Sequence, residues 1–329
     1  SVLCKSFISM TISENKNAWD FWSKFGEHPI CLAPMVDLGD LAFRLLVRRH
    51  NIQVCWTGMI NASQWNSSKK YQKTVIATND QDIPLICQIS GSIDSGLLAA
   101  ANSVILIPSC CALDINLGCC QRVARRGNYG YYLVDTENKR QNVIKLVTEI
   151  SQSIDRPLCV KIRMIEDDIN LTVNFAKELE KAGAQIITVH ARSEKQDKSG
   201  VMNIQCVKEI VKNLSIPVIA NGGIQSKADA DFILQETGAA GIMVGQALLK
   251  NPALFDSDES LSIFDVAREY LDIWTQYGGC GIDIVRRHMF YMFEEIISDN
   301  NEVKKKISQS ANVEEILEII QQLESQQSQ

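Results

Sequence analysis

Eight short apolar runs, each trailed by a longer amphipathic stretch, constrain the fold of this chain more than any other feature. They occupy residues 30–35, 52–57, 84–90, 112–118, 157–163, 185–192, 216–223 and 239–245. Rich in Ile, Val and Leu and flanked by Pro or Gly, they read as strands buried on both faces of a parallel sheet. The stretches between them read as helices: Leu171, Phe175 and Leu179 recur at helical spacing, and that segment stops at Gly183. Eight strand–helix units in succession predict a closed (β/α)8 TIM barrel, an α/β fold. No GxGxxG follows any run, which argues against an open doubly wound dinucleotide-binding sheet.

After about residue 258 the alternation stops. Residues 263–276, 284–297 and 313–325 read as three or so helices without strands, and the loop at 277–281 separates the first two. The predicted division is a poorly ordered N-terminal extension over 1–20, the barrel over 21–257 and an all-helical domain over 258–325. The first fifteen residues have one lysine and no long apolar core, unlike a secretory signal, and they lack the arginines of a transit peptide. A cytoplasmic protein, also compatible with the nucleus, is expected.

Composition excludes several classes. With 329 residues the chain can bury a large core without covalent staples. No apolar run reaches the roughly 18 residues of a membrane span. Eleven cysteines are too sparse for a disulfide scaffold, and neither Cys110-Cys111 nor Cys119-Cys120 has zinc-site spacing. Most of these thiols read as small buried hydrophobes in a reducing compartment. With four histidines and no ligand-spaced partner for His190, no metal is expected. The net charge of −6 argues against wholesale coating by nucleic acid, although local basic patches remain compatible with it.

In such a barrel the reactive groups sit where strands end. Those ends carry Met35, Thr57, Gln88, Asn116, Lys161 with Arg163, His190 with Arg192, Asn221 with Gly222 and Gly223, and Gly245. Each is polar or small, or, like Met35, adaptable, where packing alone would choose a bulky apolar residue; together they favour a ligand site over a purely structural barrel. The glycines after the last two strands offer bare backbone N–H groups where barrels of this kind often hold phosphate. Gln88 can donate and accept at the edge of a planar amide ring. Lys161 supplies a positive charge suited to a reduced, anionic ring; its bland alternative is an ordinary salt bridge.

Residues 114–133 are the densest segment. Asn116 and Cys119 lie just past the fourth run, where a cysteine can act as proton donor or nucleophile. Arg122, Arg125 and Arg126 add positive charge suited to an anionic polymer. Gly127 and Gly130 suggest a lid-like loop. A basic surface loop with incidental thiols is the competing reading.

The ordered set of residues 32–60, 114–130, 160–163, 188–192, 219–224 and 251–255 resembles the tRNA-dihydrouridine synthase family of FMN-dependent barrels. Residues 20–25, and 251–255 followed by 267–273, look most like the eukaryotic branch acting on uridines 16 and 17 of the tRNA D-loop. The resemblance spans about residues 21–322. It implies FMN reduced by NADPH, hydride transfer to C6 of uracil, and a proton from Cys119 to C5. It implies further that Asn116, Arg163 and Arg192 meet the base, and that Pro34, Met35, Gln88, Lys161, His190, Asn221, Gly222, Gly223, Gly245 and Gln246 contact FMN. Four positions depart from the family pattern: Cys120 replaces a proline, Tyr131 an alanine, Gly58 a larger residue, and Gln246 a common arginine.

A uridine inside folded tRNA must be extruded, at a cost of a few kcal/mol, to reach a buried flavin. Backbone contacts offset that cost. Candidates are Arg48 and Arg49, Lys69, Lys70 and Lys73, then Arg122, Arg125 and Arg126, and Arg286 and Arg287 with the neighbouring His288, Phe290 and Tyr291, in a helical domain that would bind tRNA. Phe290 and Phe293 also fit a simple core, and Lys304 to Lys306 a solvated face. A monomer is expected. Two other functions compete: an inactive tRNA-binding protein acting as an RNA chaperone, and an FMN barrel acting on a small pyrimidine.

Overall fold

A computed structural model describes residues 18–196, 200–258 and 260–327. Most of the expected N-terminal extension lies outside them; the described chain opens with the helix Ala18–Trp22. Nine parallel strands follow: β1 (Ile30–Leu32), β2 (Val54–Trp56), β3 (Ile60–Asn61), β4 (Leu85–Ser90), β5 (Cys110–Leu117), β6 (Leu158–Arg163), β7 (Ile186–His190), β8 (Val218–Asn221) and β9 (Gly241–Val244). Pairing of β1 with both β2 and β9, and of β2 with β4, closes an eight-stranded barrel. The fold is therefore a TIM barrel followed by C-terminal helices.

The extra strand is a finding. β2 and β3 are two halves of one barrel strand: β2 pairs with Leu85 and Ile86, β3 with Ile89 and Ser90 further along the same neighbour. The break falls at residues 57–59. There the Thr57 hydroxyl accepts from the Gln88 N–H at 3.0 Å, and Gly58 passes so near the β1 loop that a Cβ would lie 2.9 Å from the Met35 carbonyl oxygen. A side chain at 58 is excluded by backbone, not merely absent.

Alternate residues of each strand point to opposite faces. The set facing the helices is apolar throughout, as in Leu113, Ile115 and Leu117 of β5. The set facing the barrel axis changes character along the strands. At its lower end Cys31, Val54, Trp56, Ile86, Ala112, Cys159, Ile186, Ile219 and Met243 form a second apolar cluster. Phe21, Trp22 and Phe25 join that cluster and plug the barrel, and the Trp22 indole donates to the Ala240 carbonyl at 2.9 Å. One step further up come Gln88, Asp114, Asn116, Lys161, Arg163, Thr188, His190 and Asn221. This polarity gradient locates the site.

The C-terminal region holds four long helices, Ile263–Tyr277, Ile282–Met292, Asn301–Gln309 and Val313–Gln327. They pack onto the outer layer of the barrel as one continuous core. His288, expected on a solvent-facing nucleic-acid surface, is instead fully buried, its Nε2 2.7 Å from Asp40 and its ring stacked on Phe43. Deeper in the barrel wall, Arg44 grips the fully buried Asp82 through Nε and Nη2, at 3.0 and 2.6 Å from Oδ2. Among the described residues no helix is long and apolar enough to cross a membrane.

Candidate active site

A cavity of about 420 Å³ opens at the C-terminal ends of the strands, within the range of cofactor and small-ligand pockets. Of the residues expected in the site, Pro34, Met35, Asn116, Cys119, Lys161, Arg163, His190, Arg192, Asn221, Gly222, Gly223, Gly245 and Gln246 all line it. Arg287 and Tyr291 reach it from the helical region. Arg122, Arg125 and Arg126 are exposed on the helix Arg122–Gly127, outside the cavity. Arg286 also turns away, donating to the Ser308 carbonyl at 2.6 Å.

Gln88 differs from expectation. It is fully buried beneath the cavity and does not line it. Its Nε2 donates to Asp114 Oδ2 at 2.6 Å, and its Oε1 accepts from Asn116 Nδ2 at 2.9 Å. Asn116 in turn accepts from the Gly118 and Cys119 N–H groups at 3.1 and 3.0 Å through Oδ1. Its remaining amide hydrogen faces Met59 Sδ at 2.7 Å. When ionised, Asp114 can only accept and so sets the orientation of the Gln88 amide, which sets that of Asn116, which holds the loop bearing Cys119. Asn116 is thus engaged in positioning the cysteine loop. Asp114, which sequence reasoning passed over, lies two residues before Asn116 and so on the same strand face; that spacing was the available signal.

Cys119 lies half-buried on the cavity wall. Its carbonyl accepts from the Tyr131 N–H at 2.9 Å. Gly130 sits against it at φ +64°, where a Cβ would come within 2.6 Å of that carbonyl oxygen. The segment expected as a lid is therefore closely packed, with Tyr131 and Tyr132 buried edge to face at 5.7 Å. The Tyr131 ring goes into the core and does not enter the cavity, and the Cys120 carbonyl is taken by the Tyr132 hydroxyl at 2.9 Å. Glu194 lies 3.1 Å from the same hydroxyl, and burial, with that carboxylate, pushes the phenol up to about 12.

The adjoining wall, on β6 and β7, is basic. Lys161 Nζ donates to Asn221 Oδ1 at 2.7 Å; burial first and then Arg163 lower its ammonium to about 8, against the pull of Asp114. Arg163 is nearly inaccessible. It donates to the Gly118 carbonyl at 3.0 Å and the Ser193 carbonyl at 2.8 Å, and its Nη2 lies 3.1 Å from His190 Nδ1. It ties the cysteine loop to the loop after β7, a positioning arrangement more than an open substrate contact. Burial, then Lys161, Arg163 and Arg192, hold His190 far below the ordinary imidazole range. The ring is neutral, with Arg163 Nη2 facing Nδ1 at 3.1 Å and Arg192 Nη1 facing Nε2 at 3.4 Å, so one ring nitrogen accepts from its arginine and the other carries the hydrogen. Burial pushes Asp114 up to about 7, opposed by Gln88, Lys161 and Trp56.

Gly222 and Gly223 adopt φ of +113° and +74°. A Cβ on Gly222 would meet the His190 ring at 3.0 Å, and one on Gly245 would meet Ala33 at 3.4 Å. The ends of β8 and β9 thus form a bare backbone cradle beside Lys161, His190 and Arg192, able to take an anionic group. β5, with Cys119 just past its end, stands across the barrel from β9.

A family model described as dihydrouridine synthase (Dus) matches residues 31–328. The chain belongs to this family. Among curated dihydrouridine synthases, the mouse tRNA-dihydrouridine(16/17) synthase [NAD(P)(+)]-like protein is 34% identical over 310 residues, 93% of this chain and 64% of that protein. A fission yeast (Schizosaccharomyces pombe) tRNA-dihydrouridine(16/17) synthase [NAD(P)(+)] is 31% identical, covering 90% of this chain and 77% of its own. A human tRNA-dihydrouridine(20a/20b) synthase [NAD(P)+]-like protein is 36% identical over a shorter 272 residues, 81% of this chain and 82% of that one. This dihydrouridine synthase chain therefore spans just under two thirds of the mouse relative.

Proposed function

We propose that this chain is a flavin-dependent oxidoreductase that reduces uridine to 5,6-dihydrouridine in the D-loop of tRNA, at positions 16 and 17, with FMN as cofactor and NADPH as reductant. The observation that carries the reading is Cys119: its thiol lines the same cavity as the glycine cradle, whose β9 end stands across the barrel, and as the basic cluster that begins on the neighbouring β6. The 16/17 assignment is supported by relatives of that description aligning over nine tenths of the chain. The names of those relatives include NAD(P)(+).

The residues present fit FMN. The backbone at Gly222, Gly223 and Gly245 would take the phosphate; the left-handed φ of Gly222 and Gly223, and the 3.0 Å approach that a Gly222 Cβ would make to the His190 ring, keep the first two positions bare. Lys161 and neutral His190 would hold the ring and ribityl oxygens. When bound, FMN supplies the hydride that adds to C6 of the uracil, after accepting one from NADPH. Cys119 donates its thiol proton to C5, so the 5,6 double bond gains one hydride and one proton. Asn116, oriented from below by Gln88 and Asp114, keeps that thiol aimed at the base. Arg163 joins the two loops above the barrel, and Arg192, partly exposed, meets the incoming nucleotide. Arg287, paired with Asp37 at 3.0 Å, and the exposed Arg122, Arg125 and Arg126 bind the tRNA backbone. Arg286, turned towards Ser308, takes a lesser part. The cavity is completed within one chain by Arg287 and Tyr291, which supports a monomer.

Removal of a positioned general acid costs roughly 10²–10⁴-fold in rate. Cys119→Ala is expected to keep its flavin absorbance and its tRNA affinity and to lose turnover by that order. A variant with wild-type turnover would overturn the assignment of Cys119. Of the two departures that prompted the inactive RNA-binder reading, Tyr131 is absorbed by local packing, while Cys120 lines the cavity beside Cys119 and leaves that thiol in place.

A further inference from the structure

A second cavity, of about 580 Å³, lies beside the first. Met35, Val36, Asp37 and Met59 line both, so the two are separated by a single ridge. Its walls come from the end of β3, the helices that follow it, the end of β4, Tyr129, and the turn at residues 279–281.

The chemistry of this cavity is unlike that of the first. Of its charged residues, Arg44 is engaged with Asp82, Asp40 with His288 and the Phe43 N–H, and Asp37 with Arg287, while Asp283 adds an exposed carboxylate beside the turn at 279–281. The remaining polar groups are neutral. The Ser90 hydroxyl, 5% exposed, has no hydrogen-bond partner among the described residues. The Tyr71 hydroxyl accepts from the Asn61 N–H at 2.9 Å and keeps its own hydrogen to give. Gln64 presents an amide at the rim, and the half-buried Tyr129 a ring face. Uncharged donors and acceptors beside phenol rings suit a flat, neutral ring with amide edges, not a phosphate. Val36, 48% exposed on the shared ridge, is an apolar residue of the kind that wedges between unstacked bases.

We propose that this cavity receives the nucleobase next to the reacting uracil in the same RNA strand, while Val36 holds the two bases apart. The inference rests on the tRNA-reduction reading and deepens it: recognition would depend on a neighbouring base as well as on the uridine. Burying an unpartnered hydroxyl is unfavourable in the free protein. Ser90 is therefore explained if its partner arrives with the substrate.

The test pairs Ser90→Ala, which deletes that hydroxyl without changing the packing, with Thr74→Trp, which fills the cavity from an exposed helix position. Each is assayed on a tRNA transcript and on transcripts made abasic on either side of the target uridine. Ser90→Ala should melt at or above the wild-type temperature yet lose about 3- to 10-fold in kcat/KM on intact tRNA, the size of one hydrogen bond. Wild type should lose at least as much on one abasic transcript, and there the Ser90→Ala enzyme should match wild type. Thr74→Trp should resemble wild type on the abasic substrate with either RNA. Equal kcat/KM of wild type on intact and abasic tRNAs, or variants unaffected on intact tRNA, would overturn the inference alone. A wild-type enzyme that reduces no tRNA would overturn the underlying reading with it.

Discussion

At the residue scale, the consequential group is one that touches no ligand. Asp114 sits under the site and fixes the sense of two amides, Gln88 and Asn116, on which the Cys119 loop depends. Asp114→Asn offers Gln88 either an acceptor or a donor, so both amides can turn over and Asn116 would then present its NH2 to the N–H groups of Gly118 and Cys119. We expect kcat on tRNA to fall by about tenfold, roughly 1.4 kcal/mol of transition-state stabilisation, with KM little changed. A KM effect of equal size would point to lost binding instead. The same substitution has a pH signature. Burial lifts the Asp114 carboxyl from 3.8 to about 7, so between those values the folded state binds more protons than the unfolded state. Its contribution to stability is then greatest below about pH 4 and is lost as pH rises through 7. Chemical denaturation from pH 4 to 8 should show a shallower fall for Asp114→Asn than for wild type. Parallel curves would contradict the assignment.

At the element scale, the eight runs were legible because a barrel strand buried on both faces must be apolar on both, and few other segments are. The split of the second strand was not legible. It depends on how near the β1 loop comes to Gly58, a tertiary fact that no local pattern carries. Most strand-end residues reached the cavity as their spacing implied. Gln88 did not, since a residue able to bind a ligand edge can equally be consumed by a neighbouring carboxylate. The helix Asn301–Gln309 was passed over as a charged face because only Val303 and Ile307 within it are buried. Gly130 was read as a sign of mobility, whereas its role is close approach. Gly130→Ala combines a left-handed φ with a Cβ 2.6 Å from the Cys119 carbonyl oxygen. It should cost about 1–3 kcal/mol of stability and lower turnover more than flavin binding, read by thermal melting and by flavin absorbance. Wild-type melting and turnover would show that the loop has slack the structure does not display.

At the scale of the whole molecule, the barrel and its helical region meet through specific polar contacts. His50 bridges Asp256 at 2.6 Å and Glu269 at 2.9 Å, and His288 meets Asp40 across the same junction. Burial raises the Asp40 carboxyl, but His288 and the Phe43 N–H outweigh it and hold that group below the ordinary carboxylate range. These contacts set Arg287 and Tyr291 over the cavity rim, so the helical region is part of the site and not an appendage to it. A barrel alone could hold a flavin; the two adjoining cavities, the thiol and the basic rim together suit a substrate with a backbone and more than one base.

The most direct test uses the holoenzyme under anaerobic conditions. Its flavin absorbance is bleached with NADPH, and tRNA lacking dihydrouridine is then added, with orotate in a parallel cuvette. The account predicts reoxidation by tRNA alone, with dihydrouridine appearing in the RNA. A reduced flavin indifferent to tRNA, or one reoxidised by orotate, would contradict it.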